Sequence, residues 1–143
     1  MTIEETLARV ELFAELPSED LERLAKVTVV REYKKDDVIV EEGEVGVAFY
    51  VIAEGHVEVV KDLGKPNEQV VAKMGPGAFF GEMALFDNQV RSASVRAVEE
   101  TRCLVLTKWD FNAELTTTGG RIAVALLAVL ARRIRDLTEA ATH

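Results

Sequence analysis

A glycine, a carboxylate and an arginine stand close together in residues 75–97, which read GPGAFFGEMALFDNQVRSASVRA. Gly75, Pro76 and Gly77 predict a sharp turn, and Phe79 and Phe80 lead from it into Gly81. Gly81-Glu82-Met83-Ala84-Leu85 reads as one short helical turn. Backbone N–H groups at such a start lack partners and carry partial positive charge. With Gly81 allowing close approach to the backbone, the segment is suited to cradle an anion. Arg91, seven residues beyond Ala84, adds a full charge and a planar fork that matches two phosphate oxygens. Glu82, acceptor-only when ionised, suits a ribose hydroxyl and repels a second phosphate. Singly, these residues have commoner structural readings: Gly81 as a turn, Glu82 as a helix-dipole partner, and Arg91 as a surface charge or the mate of Glu82. Their joint spacing favours the anion site.

The rest of the chain must position that segment. Ile3, Leu7, Val10 and Phe13 recur at helical spacing and predict an amphipathic opening helix, which Pro17 and Ser18 interrupt. Ser18 is read as the cap of a second helix, with Glu19 and Asp20 in its first turn and Leu21 and Leu24 on its apolar side. Strands are predicted near residues 28–33, 38–40, 48–53, 56–60, 69–74, 92–97 and 101–106. Turn signals separate them at Glu42 and Gly43, Glu54 and Gly55, residues 64–67 and residues 75–77. Many short strands without intervening helices predict an antiparallel sandwich or barrel. Thr107-Lys108-Trp109-Asp110 fits a capping box that opens a short helix to about Leu115. After a break over residues 116–120, residues 121–141 read as one long helix. Its Leu127, Leu130, Ile134, Leu137 and Ala141 alternate at spacings of three and four. That seam fits a homodimer or packing on the domain itself. Regular β structure would turn Arg91 and Ser92 to opposite faces, so both meet one ligand only if the strand begins after them.

FGEMAL at residues 80–85, followed by RSASVRA at 91–97, resembles the phosphate-binding cassette of the cyclic nucleotide-binding domain family. That family includes the catabolite activator protein, kinase regulatory subunits and cyclic-nucleotide-gated channels. The likeness extends over nearly the whole chain: Leu12-Phe13 with Leu16, Glu42-Gly43-Glu44, Phe49-Tyr50-Val51-Ile52 with Glu54-Gly55, and Gly75-Pro76-Gly77 also look like the family pattern. The resemblance implies an eight-stranded β jelly-roll barrel with flanking helices. It implies a single domain over residues 1–143, with N-terminal helices over 1–27, the barrel over 28–107, the cassette over 80–93 and C-terminal helices over 108–143. It implies that Glu82 holds the ribose 2′-hydroxyl and Arg91 the cyclic phosphate. Backbone amides near Gly81, Met83, Ala84 and Ala93 would complete the anion site, and Ser92 would add a hydroxyl. Two positions depart from the pattern: Val90 replaces a frequent proline, and Asp36 a frequent glycine.

The implied function is a cytoplasmic regulatory module that binds cAMP or cGMP, catalyses nothing, and signals to an effector protein through its C-terminal helix. Gly119 and Gly120, with the polar residues 116–118, are read as the hinge of that helix. The formal net charge of −8 argues against general affinity for nucleic acid or anionic lipid. The apolar run over residues 122–131 is far too short to span a bilayer. One cysteine excludes a disulfide within the chain. Helix-turn-helix activators of the family carry their DNA reader beyond the long helix, and this sequence ends at His143, so no DNA reading is expected of it. A cupin-type metal enzyme would need several histidines, whereas only His56 and His143 are present. His56 reads as a hairpin residue, Cys103 as a core thiol, and Trp109 with Phe111 as packing residues of the short helix. The other function class is an interaction or dimerisation domain of the same fold that binds a different effector or none; the combination of Gly81, Glu82 and Arg91 favours the first class.

Overall fold

The computed structural model describes residues 2–142, and for Glu82, Met83 and Thr142 the backbone alone. Two helices, α1 (Ile3–Ala8) and α2 (Ser18–Val27), precede eight strands. These are β1 (Val29–Tyr33), β2 (Val38–Val40), β3 (Ala48–Glu54), β4 (Val57–Lys61), β5 (Gln69–Met74), β6 (Phe79–Phe80), β7 (Ser94–Ala97) and β8 (Thr101–Thr107). A 3-10 turn, Glu82–Leu85, interrupts the β region, and α3 (Lys108–Thr117) and α4 (Arg121–Thr142) close the chain. All strand pairs are antiparallel, in two four-stranded sheets of order β1-β8-β3-β6 and β2-β7-β4-β5. This jelly-roll order bears out the expected antiparallel architecture.

The two sheets face each other over one apolar cluster, and the helices cover the far side of the first sheet over another. Ala48, Ile52, Cys103 and Val105 turn inward and meet Val57 and Val95 of the second sheet. Phe49, Val51, Leu104 and Leu106 turn outward and meet Leu7, Phe13, Leu24, Phe111, Ile122 and Leu126. Central strands covered on both faces read as continuous apolar runs, which is why β3 and β8 lack alternation in the sequence. Fully burying one such side chain contributes about 1.5–3 kcal/mol. The edge strands β1 and β5 are almost wholly exposed and carry Arg31, Glu32 and Lys73, charges of the kind that discourage edge pairing.

Several local expectations change. The opening helix ends at Ala8, because beyond it the chain bonds residue to residue at three-residue steps: Val10 to Leu7, Phe13 to Val10 and Leu16 to Phe13. The apolar residues at 7, 10, 13 and 16 follow that step of three and still bury one face. The cap of α2 is Pro17, and Ser18 is its first residue with no capping side-chain bond. Thr107 caps α3 as expected, accepting from the Asp110 N–H at 3.2 Å. Phe111 is buried, but Trp109 is 64% exposed on the opposite side of α3. Asp36 stands at φ +74°, a backbone position where glycine is the unstrained residue and Asp a tolerated one.

Only part of the seam on the long helix turns to the domain. Ile122, Leu126 and Val129 are buried against the domain, with Ala125 and Leu130 packed beside them, while Leu127, Ile134 and Leu137 are exposed. α4 leaves α3 at a bend of 114°, with Gly119 and Gly120 at φ +62° and +86°. Its first residue is fastened: Arg121 Nε lies 3.1 and 3.2 Å from the two carboxylate oxygens of the buried Asp20. Arg23 to Glu114 at 3.0 Å ties α2 to α3, and Arg132 pairs with Glu15. No single helix among the described residues is long and apolar enough to cross a membrane.

Candidate functional site

Between the 3-10 turn and the second sheet lies a cavity of about 350 Å³. Val40, Val59, Met74 and Val95 from four strands form its apolar wall, and Phe80, Gly81, Ala84, Arg91, Ser92 and Ala93 its other side. Gly81, Ala84, Arg91, Ser92 and Ala93, singled out in the sequence, thus come together around one space. The backbone of Glu82 and Met83 lies in the same 3-10 turn; their side chains are outside the described residues.

Arg91 is the organising cation. Its Nη2 donates to the Ala48 carbonyl at 2.7 Å, and its guanidinium carbon stands 5.9 Å from the centre of the Tyr50 ring. Tyr50 in turn stacks on Phe80, with ring centres 4.9 Å apart and planes 7° from parallel. Burial pushes the Tyr50 phenol above its ordinary pKa, and the nearby Arg91 pulls it the other way. The main chain of Arg91 is held as well, its N–H donating to Glu44 at 2.7 Å and its carbonyl accepting from Gly43 at 2.8 Å.

Two glycines make room for that side chain. Gly81 has φ +80°, and a Cβ there would lie 2.4 Å from Arg91 Nη1. Gly46 has ordinary φ, yet a Cβ would lie 2.9 Å from the guanidinium carbon. Gly46 was missed in the sequence. A lone glycine in the β-rich run Glu44-Val45-Gly46-Val47 is the signal of close approach that could have found it.

The question of Ser92 is resolved by where the strand starts. β7 begins at Ser94, so residues 91–93 form a loop free of alternation, and all three line the cavity. The expected helical turn is a four-residue 3-10 turn, in which the Ala84 N–H already donates to the Gly81 carbonyl at 3.0 Å. A ligand at that amide would share or replace this bond. Chemically, the cavity sets a guanidinium held by the Ala48 carbonyl against aliphatic walls, with Asp87 also on its lining. Such a site accommodates an anion with a flat, largely apolar body.

The profile of the cyclic nucleotide-binding domain matches residues 30–118. The chain belongs to the cyclic nucleotide-binding domain family. It is 37% identical over 125 residues to the cyclic AMP receptor protein of Thermus thermophilus and 35% identical over 113 residues to human cGMP-dependent protein kinase 2, covering 87% and 78% of this chain. It spans 57% and 15% of the lengths of those two proteins. The crystal structure of the N-terminal domain of a transcriptional regulator from Streptomyces coelicolor superposes with a TM-score of 0.86 at 32% identity, covering 94% of both chains. The catabolite activator protein of Thermus thermophilus superposes at 0.71 with 35% identity, covering 92% of this chain and 62% of that one. Family membership and the jelly-roll fold, both expected from the cassette, therefore stand.

His56 and Cys103 lie away from the cavity lining. His56 Nδ1 meets Glu99 at 2.6 Å beside the β3–β4 turn. Cys103 is fully buried, and burial pushes its thiol up to about 12, so it stays protonated and inert at neutral pH.

Proposed function

We propose that this chain is a cytoplasmic regulatory module that binds cAMP or cGMP in the cavity beside Arg91 and performs no catalysis itself. The observation that carries the reading is the fork of Arg91, seated between Gly46 and Gly81 at the rim of an aliphatic-walled cavity. In this reading Arg91 takes the cyclic phosphate with the backbone amides near Gly81, Met83, Ala84 and Ala93, and Ser92 adds its hydroxyl. Glu82 takes the ribose 2′-hydroxyl, and the purine lies along Val59, Met74 and Val95. The output runs through the C-terminal helices. Leu85 is buried in the same cluster as Phe111, Ile122 and Leu126, Phe86 meets Phe111 edge-on at 5.7 Å, and Lys108 Nζ donates to the Asp87 carbonyl at 2.7 Å. A ligand that favours one arrangement of the 3-10 turn thereby favours one arrangement of α3 and α4. Calorimetric titration with cAMP and with cGMP is expected to give saturable, one-site binding for at least one of them. Hydrogen exchange over residues 116–141 is expected to change at saturation. Absence of binding to both nucleotides refutes the ligand, and unchanged exchange refutes the output alone.

A partner surface is favoured by a separate observation, the exposed stripe on α4. Within the seam of Leu127, Leu130, Ile134, Leu137 and Ala141, Leu127 is 63% and Leu137 72% exposed while Leu130 packs on the domain, and a second copy of the helix fits the exposed part of that spacing. A dimer in sedimentation experiments that Leu137→Glu converts to a folded monomer is the expected result; a parent that sediments as a monomer at every concentration refutes the pairing.

A further inference from the structure

We infer that Lys61 is a positioning residue for the anion end of the cavity: by gripping the carbonyl of Ser92 it turns the N–H of Ala93 toward the bound phosphate. The inference rests on the cyclic nucleotide reading above and concerns a residue that reading does not use. β4 and β7 pair in register from Val57 opposite Ala97 to Val60 opposite Ser94, where the ladder ends. Lys61 is the next residue of β4, and its Nζ donates to the Ser92 carbonyl at 2.7 Å. A side-chain bond thus takes over where the backbone ladder stops.

The consequence follows from peptide geometry. The peptide joining Ser92 to Ala93 is trans, and in a planar trans peptide the C=O and N–H point to opposite sides. Holding the carbonyl toward Lys61 fixes the N–H of Ala93 away from it. Ala93 lines the cavity and Lys61 does not, and we take the side of the peptide away from Lys61, which carries this N–H, to be the one that faces the ligand. No acceptor for that N–H is found among the described residues. The preceding residue is already pinned at both its N–H and its carbonyl by Glu44 and Gly43, which leaves the 92–93 peptide as the plane for Lys61 to set. An ammonium on the carbonyl also polarises the peptide and strengthens its N–H as a donor.

The test compares the parent with Lys61→Met and Lys61→Arg. Affinity for cAMP and cGMP is read by calorimetry, and the Ala93 amide proton by 15N-resolved NMR with and without nucleotide. Lys61 is exposed, so both variants are expected to fold with an unchanged melting temperature. Lys61→Met is expected to bind about three- to tenfold more weakly and to lose most of the downfield shift of the Ala93 amide proton on binding. Lys61→Arg is expected to restore both. A Lys61→Met protein with the parent's affinity overturns the inference, and so does weaker binding with the Ala93 shift unchanged. A parent that binds neither nucleotide overturns the pocket reading itself, and the role of Lys61 with it.

Discussion

Arg91→Ala is expected to raise the Kd for the cyclic nucleotide by roughly 30- to 1,000-fold, about 2–4 kcal/mol of lost binding. In the proposed reading the guanidinium would supply the charge opposite the phosphate, and the other phosphate contacts would be neutral dipoles. A charge-assisted pair with bidentate geometry is about twice as strong as a neutral hydrogen bond. The same side chain also holds the rim together through the Ala48 carbonyl and the Tyr50 ring, so the variant is expected to lose about 1 kcal/mol of stability as well. Thermal unfolding without ligand separates that loss from the binding defect. Arg91→Lys keeps the charge but not the fork, and is expected to fall between parent and alanine in affinity. Parent-like affinity in Arg91→Ala would remove the phosphate from this place.

Gly81→Ala is expected to cost about 2–3 kcal/mol of stability and to weaken binding at least tenfold, roughly the sum of two separable effects. The first is backbone strain, since Gly81 stands at φ +80° and a left-handed L-residue costs about 1–2 kcal/mol. The second is displacement of the arginine. The new methyl would lie 2.4 Å from Arg91 Nη1 and 3.0 Å from the Ala48 carbonyl oxygen that Arg91 binds, so the fork must leave its seat. Gly77→Ala isolates the first effect: Gly77 stands at φ +88° and nothing lies within 4 Å of its Cβ position. That control is expected to lose stability without losing affinity. Equal affinity losses in the two variants would mean that backbone strain, and not the seat of Arg91, governs the site.

What the sequence made legible was whatever local pattern controls. The strands could be read from their apolar runs and turn glycines, with boundaries mostly within two residues. β6 was not, because two residues, Phe79 and Phe80, are too few to show a period. The cavity residues on the cassette could be read because they are consecutive. Val40, Val59, Met74 and Val95 could not, since only the register of the second sheet brings them to one wall. The helix seam illustrates the same limit. Both stripes on α4, one through Ile122, Leu126 and Val129 and one through Leu127, Ile134 and Leu137, are apolar at helical spacing. Which of them faces the domain is set by the bend after Thr117 and by the Asp20–Arg121 pair. Trp109 was misplaced for a related reason: residue type suggests burial, but Phe111, two positions on, occupies the face of α3 that the core can reach.

If α4 carries the output as proposed, its docking through the first third would give the domain mechanical gain. Ile122, Leu126 and Val129 hold the helix at its base, and the residues from Ile134 to Ala141 are exposed. At about 1.5 Å per residue, the stretch from Val129 to Thr142 is a rod about 20 Å long. A tilt of about 10° at its base would sweep the far end through about 3 Å, a distance comparable with half a helical turn. The rim of the cavity, close to the pivot, would move by only a fraction of that. A displacement at Leu85 or Phe86 no larger than a side-chain adjustment would therefore leave the domain as a movement on the scale at which helices exchange packing partners.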